Sequence, residues 1–188
     1  MTLKGYNIDK SWALFLDRDG VINCKIPDAY VLDWKQFGFI PGSIEALKIC
    51  ASVFGRIIVV TNQQGVGKGL MTEKKLNEVH KEMIAEIESN KGKIDRIFYA
   101  TQLAESNHIE RKPNVGMGLK AKREFPEIDF RKTIMAGDSK SDMEFGHKLG
   151  MVNVLINHDK SLAARFPQLI NFIFDDLLSF ANQLKIKT

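Results

Sequence analysis

Apolar runs that read as buried strands alternate along the chain with stretches of helical periodicity. Residues 12–16 (Trp-Ala-Leu-Phe-Leu) are apolar throughout, as a strand covered on both faces should be. Residues 56–61 (Arg-Ile-Ile-Val-Val-Thr) repeat the pattern, and 95–100, 133–136 and 152–156 supply a third, fourth and fifth strand. A short sixth falls at 170–174. Pro41-Gly42-Ser43 opens a helix running to about residue 54, with Ile44, Leu47 and Ile49 on its apolar side. Thr72 reads as the N-cap of a long helix whose stripe is Leu76, Val79, Met83, Ile84 and Ile87. Further helices are predicted at 115–125, ended by Pro126, at 141–149, stopped by Gly150, and at 175–184. Residues 23–39 form an irregular stretch rich in turn and aromatic residues, and Gly65 to Gly69 read as a turn. Met83, Met117, Met135 and Met143 read as core filler.

Strands alternating with helices imply an α/β fold, a three-layer doubly wound sandwich around a mainly parallel, Rossmann-like sheet. With no repeat or linker, residues 1–188 are expected to form one domain. Nothing of domain size is inserted, so no large cap is expected, and residues 24–39 would act as a small flap. In such sheets ligands bind beyond the carboxyl ends of the strands.

Composition narrows the setting. No apolar run is long enough to cross a bilayer, and the first residues lack the apolar core of a signal peptide. Two cysteines, Cys24 and Cys50, do not make a disulfide framework, which points to a reduced, cytoplasmic environment. The formal charge of +4 suits a small anionic substrate. Lys and Arg are dispersed along amphipathic helices, so neither nucleic acid nor membrane is expected as a partner, and a monomer is expected.

The chemistry gathers where the predicted strands end. Asp17-Arg18-Asp19-Gly20-Val21-Ile22-Asn23 follows the first strand, and carboxylates there are costly unless a metal or hydrogen bonds satisfy them. An Asp-x-Asp in that place can supply a nucleophile, an acid/base group and a divalent-cation site. Thr61-Asn62-Gln63-Gln64-Gly65 follows the second strand, Arg111-Lys112-Pro113 lies after the third, and Gly137-Asp138-Ser139-Lys140-Ser141-Asp142 ends the fourth. The fold would bring all four to one edge. By contrast, Gly65-Val66-Gly67-Lys68-Gly69 lacks the spacing of a phosphate-binding P-loop. His80 and His147 lie on helices as surface or packing residues. Arg18 is expected to support the pocket without entering the chemistry.

These motifs resemble those of haloacid dehalogenase (HAD) superfamily phosphatases over roughly the whole chain, and within them the histidinol-phosphatase and heptose-bisphosphatase branch. The resemblance implies that Asp17 is the nucleophile that forms an aspartyl-phosphate. Asp19 would protonate the leaving alkoxide and then activate water. Thr61 and Asn62 would hydrogen-bond the phosphoryl oxygens, and Lys112, with Arg111, would offset phosphate charge. Mg²⁺ would be held by Asp17, the Asp19 backbone carbonyl and Asp138, with Asp142 either near the metal or capping its helix. Gln63, Gln64, Asp28 and Tyr30 are assigned to the substrate pocket.

The implied reaction is Mg²⁺-dependent hydrolysis of a phosphorylated sugar, foremost the 7-phosphate of a heptose 1,7-bisphosphate. Histidinol phosphate is the alternative; a polynucleotide 3′-phosphatase or a non-catalytic phospholigand-binding domain is a more distant one. A second phosphate would need an extra cation, for which Lys25, Lys35, Lys68 and Lys140 are candidates, whereas an amine would favour Asp28 or Glu105. Many members of the branch carry a structural zinc on the loop before Arg-Lys-Pro, held by Cys-x-His and Cys-x-Cys pairs. Here residues 102–110 contain no cysteine, and His108 alone cannot make a tetrahedral site, so no zinc is expected. Ser139 stands where heptose-phosphatase relatives usually carry lysine, with Lys140 displaced by one.

Overall fold

Six strands, Ala13–Leu16 (β1), Arg56–Asn62 (β2), Arg96–Ala100 (β3), Thr133–Gly137 (β4), Val152–Ile156 (β5) and Phe172–Phe174 (β6), pair in the order β3-β2-β1-β4-β5-β6. Every pairing is parallel. This computed structural model describes residue 3 and residues 5–157 and 160–184. The strand order reverses between β1 and β4, where Leu16 is aligned with Ala136. That reversal opens a crevice at the strands' carboxyl ends.

The helices are Ser43–Val53 (α1), Gln64–Gly67 (α2), Glu73–Ser89 (α3), Gly116–Glu124 (α4), Lys140–Leu149 (α5), Ser161–Arg165 (α6) and Leu177–Leu184 (α7). The strands read as continuous apolar runs because both faces are covered. Leu14, Leu16, Ile57, Val59, Ile134 and Ala136 pack in one core with residues of α1, α3 and α7. Phe15, Ile58, Val60 and Met135 point the other way, into a core shared with Met117 and Ala121 of α4 and Phe145 of α5. The four methionines at 83, 117, 135 and 143 are all buried.

The predicted strands and longer helices fall within a residue or two of those observed. Thr72 caps α3 by accepting from Lys75 N at 3.2 Å, and Gly150 ends α5 with φ 74°. Residues 65–69 differ, because part of this stretch closes a helical turn, α2, with Lys68 N donating to Gln64 O at 2.9 Å. A Cβ on Gly67 would collide with the Thr101 carbonyl, so the glycine there serves close packing. The closing helix starts later than 175 because Asp176 caps it, accepting from Ser179 N at 2.6 Å. Helix α6 has no counterpart in the sequence reading; five residues are too few to show a periodic stripe.

The flap is tied down at its base, where Cys24 N donates to Gly38 O at 2.8 Å. Trp34 stacks on Phe37 with centroids 4.9 Å apart, and Phe39 meets Phe37 edge-on at 5.0 Å. These rings join the core that includes Val79 of α3. Among the described residues, no helix is long and apolar enough to cross a membrane.

Candidate active site

Asp17 is the first residue past β1, and its N–H extends the ladder by donating to Ala136 O at 3.0 Å. This places its buried carboxylate on the crevice side of the sheet edge. Asp17 Oδ1 accepts from Arg18 N at 2.8 Å and pairs with Lys112 Nζ at 2.9 Å. The Lys112 ammonium is itself buried; it donates to Val60 O at 2.6 Å and pairs with Asp142 Oδ1 at 2.6 Å. The Val60 carbonyl and two carboxylate oxygens thus surround the ammonium, which fixes it beneath Asp17.

Lys112 lies on a loop, and Asn62 holds that loop in place. Lys112 N donates to Asn62 Oδ1 and Asn62 Nδ2 donates to Lys112 O, both at 3.0 Å. Asp142 is buried in the first turn of α5, where its Oδ2 accepts from Ser139 N at 3.0 Å and Ser139 Oγ at 2.6 Å. It thus caps the helix and braces the lysine at once.

Asp138, just past β4, pairs with Lys25 Nζ at 2.5 Å through Oδ2. Its Oδ1 is buried without a hydrogen-bond partner. Gly20 has φ 90°, and a Cβ there would strike the Asp138 carboxylate, so the glycine allows β1's outgoing turn to approach β4's. Carboxylate oxygens of Asp17, Asp138 and Asp142 lie within 4.8 Å of one another. Burial pushes the Asp17 carboxyl up to about 7, and the other acids add to this while Lys112 opposes it. Asp138 is raised for the same first reason, with Lys25 opposing. The orphaned buried oxygen of Asp138, beside the Asp17 carboxylate, fits a hard divalent cation.

Asp19 is set differently. Its Oδ1 accepts from Arg18 Nη2 and Asn23 Nδ2, both at 2.9 Å, and its Oδ2 from Gln63 Nε2 at 2.7 Å. Burial pushes its pKa up, but Arg18 and these hydrogen bonds outweigh that and leave it lowered. Thr61 is buried at the end of β2, and its hydroxyl accepts from Gln63 Nε2 at 2.9 Å, leaving its own proton to donate.

Other residues predicted for the site sit elsewhere in it. The Asn62 carboxamide is committed at both ends to the Lys112 backbone, so it positions that lysine. Gln63 is buried and bridges Asp19 and Thr61 instead of lining an open pocket. Arg111 donates to Gln102 O at 3.0 Å and Gln64 Oε1 at 3.4 Å, away from Asp17's ion pair. Gln64 also donates to Tyr30 Oη at 2.7 Å, and Lys68 lies 5.3 Å from the Tyr30 ring centre. Gln64, Tyr30, Arg111 and Lys68 thus form a polar rim beside the carboxylates. Asp28 is exposed on the flap with φ 52°. Lys140 is drawn off to Glu144 at 2.9 Å. The cysteine-free loop is closed by Asn114, whose Nδ2 donates to Asn107 Oδ1 at 2.8 Å and His108 O at 3.1 Å.

Over 138 residues the chain is 38% identical to D-glycero-alpha-D-manno-heptose-1,7-bisphosphate 7-phosphatase of Mycobacterium bovis, covering 73% of each chain. Over 182 residues it is 34% identical to the protein of the same name from Campylobacter jejuni, covering 94% of this chain and 99% of that one. The chain belongs to this family of HAD phosphatases. Residues 109–180 match the HAD-hydrolase-like family model, which takes in Lys112, Asp138 and Asp142. The fold of this HAD phosphatase superposes on D,D-heptose 1,7-bisphosphate phosphatase from B. bronchiseptica, solved with magnesium and phosphate. The TM-score is 0.83 at 29% identity, over 92% of this chain and 97% of that one.

Two residues outside the expected chemistry touch the site: Arg18, in its expected role of pocket support, and His80, which packs instead of lying at the surface. Arg18 is only 1% exposed and bonds Asp19, and His80 is buried against Arg18. One signal was available. His80 shares the stripe of α3 with Leu76, Met83 and Ile87, all buried, so a surface position was excluded by its own periodicity.

Proposed function

We propose that this phosphatase removes the 7-phosphate of D-glycero-D-manno-heptose 1,7-bisphosphate, using Mg²⁺ and an aspartyl-phosphate on Asp17. The product would feed nucleotide-heptose and surface-polysaccharide synthesis. The observation that carries the substrate is similarity along nearly the whole length of a protein bearing that name. These relatives' names favour the heptose over histidinol phosphate.

The chemistry follows from the carboxylates. Asp17 attacks phosphorus with its Oδ2, since Oδ1 is held by Lys112 and Arg18 N. The bond from phosphorus to the sugar oxygen breaks, and Asp19, in its protonated form, gives that oxygen its proton. Water then attacks the aspartyl-phosphate, Asp19 takes back a proton, and Asp17 is freed as inorganic phosphate leaves. Lys112 favours the ionised form of Asp17 and orients it, and Thr61 donates a hydrogen bond from its hydroxyl to a phosphoryl oxygen. Asp17, Asp138 and the Asp19 carbonyl would hold Mg²⁺, with Asp142 behind them bracing Lys112. The bound cation would offset the negative charge shared by the phosphate and these carboxylates.

The test is phosphate release, in Mg²⁺, from both anomers of heptose 1,7-bisphosphate, histidinol phosphate, hexose phosphates and a 3′-phosphorylated oligonucleotide, with Asp17→Asn as the blank. A strong preference for a heptose anomer is expected, and chelation should stop turnover until Mg²⁺ is restored. Preference for histidinol phosphate would overturn the substrate, and activity surviving in Asp17→Asn would overturn the nucleophile.

A further inference from the structure

Behind Asp19 lies a buried pair that the mechanism above does not use. Arg18 Nη1 and His80 Nε2 are 3.1 Å apart, joining residues 62 positions apart in sequence. A guanidinium has no acceptor, so Nε2 must accept and His80 must be neutral with its proton on Nδ1. The surroundings agree, since burial, followed by the Arg18 charge, lowers the His80 pKa to about 3 despite Asp19. The His80 ring leans on Tyr99 of β3 with centroids 5.6 Å apart, which limits its rotation. Arg18 is almost fully buried, and among the described residues its guanidinium bonds only Asp19 and His80; its Nε has no partner. Backbone motion is restricted too, because Arg18 O accepts from Val21, Ile22 and Asn23 N.

We propose that His80 is a positioning residue for proton transfer: it fixes the Arg18 guanidinium, and Arg18 fixes the Asp19 carboxylate in the orientation that serves the leaving oxygen. This rests on the reading of Asp19 as general acid. Removing the His80 acceptor leaves a buried N–H of Arg18 unbonded. The guanidinium then turns toward water or another acceptor, and Asp19 loses the partner that sets Oδ1.

The consequence is selective. A sugar alkoxide leaves poorly unless protonated, whereas p-nitrophenolate leaves unaided. The value of kcat/KM covers steps only through formation of the aspartyl-phosphate, so comparing the two substrates isolates proton donation. His80→Leu should lose roughly tenfold or more in kcat/KM on the best sugar phosphate and less than about threefold on p-nitrophenyl phosphate, within the range for general acids. His80→Gln, whose Oε1 can accept from Arg18, should recover most of the loss. Equal losses on both substrates, no loss, or a folded Gln variant no better than Leu would overturn the proposal. Asp19→Asn serves as the control. If it lacks the same dependence on leaving group, the assignment of Asp19 as acid fails; if it shows the dependence and the His80 variants do not, only the positioning role fails. Should the Leu variant not fold, His80→Phe, which keeps a ring but offers no acceptor to Arg18, takes its place: the same selective loss on the sugar phosphate is expected, and an equal loss on both substrates would overturn the role.

Discussion

At the ends of β1, β2 and β4, Lys112 and Asp142 are buried with several polar partners each, and Gln63 bridges Asp19 to Thr61. On the flap facing them, Asp28 is exposed, Lys25 is half-exposed, and Tyr30 meets Gln64 and Lys68 at the rim. The first region has its bonds in place before substrate arrives, which suits phosphoryl transfer, where positioning and charge are most of what a protein supplies. The second carries groups that are more exposed and have fewer partners. On the proposed mechanism, chemistry and substrate choice would fall to parts of different burial, and substitutions in the two should separate stability from specificity.

Lys112→Ala should have the largest effect. It leaves Asp17 and Asp142 buried without their shared cation. Breaking a buried pair from one side costs about 3–5 kcal/mol. Turnover should fall on the order of 10³-fold, as when a preorganised charge-stabilising donor is removed. Chemical denaturation and phosphate release measure the two. A variant that keeps wild-type stability would show that the ammonium does not compensate these acids.

The pH dependence of stability reads the same region. Asp17 has a folded pKa of about 7 against an ordinary 3.8, so the native state binds more protons between those values. Stability from this group is therefore present below about pH 4 and lost as pH rises toward 7. In cation-free buffer, Asp17→Asn should be more stable than wild type at pH 8 by a few kcal/mol, with the gap closing by pH 4. A gap that widens on acidification would reverse the sign of the burial effect. Asn62→Ala comes next. Losing two hydrogen bonds to the Lys112 backbone should cost about 1–2 kcal/mol and reduce kcat roughly tenfold through a misplaced ammonium. An unchanged kcat would mean that the loop holds Lys112 without it.

What could be read from the sequence follows from the range of the interactions. β1, β2, β4 and β5 were legible because apolar runs covered on both faces need no partner to be recognised. The convergence of Asp17, Thr61, Lys112 and Asp138 was legible too, since each lies at or beyond the carboxyl end of a strand and parallel strands share an end. The partners of those groups were not. Nothing local says that Asn62 spends its amide on Lys112, or that Asp142 caps α5 and braces the same lysine. Arg18 and His80 required knowing that α3 crosses behind β1's outgoing turn, although the buried stripe of α3 already placed His80 inside. Lys25, offered as a contact for a second phosphate, lies on Asp138 because the flap folds back across β4's end.

The smallest effect tests the flap side. Tyr30 is half-buried, and its hydroxyl accepts from Gln64 Nε2 while Lys68 lies over its ring. Tyr30→Phe keeps the ring and removes one hydrogen bond at a site that water can enter, so stability should change by less than about 0.5 kcal/mol. The freed Gln64 and its neighbour Arg111 should then orient less well toward a bound sugar. A rise of about two- to fivefold in KM for the preferred sugar phosphate is expected, the size of one modest hydrogen bond. On p-nitrophenyl phosphate, which has no sugar to contact, KM should stay as it was, and kcat should hold for both. If kcat fell on both substrates instead, the rim would be coupled to Asp17 and Asp19, and the division between a buried frame and a more exposed flap would not hold.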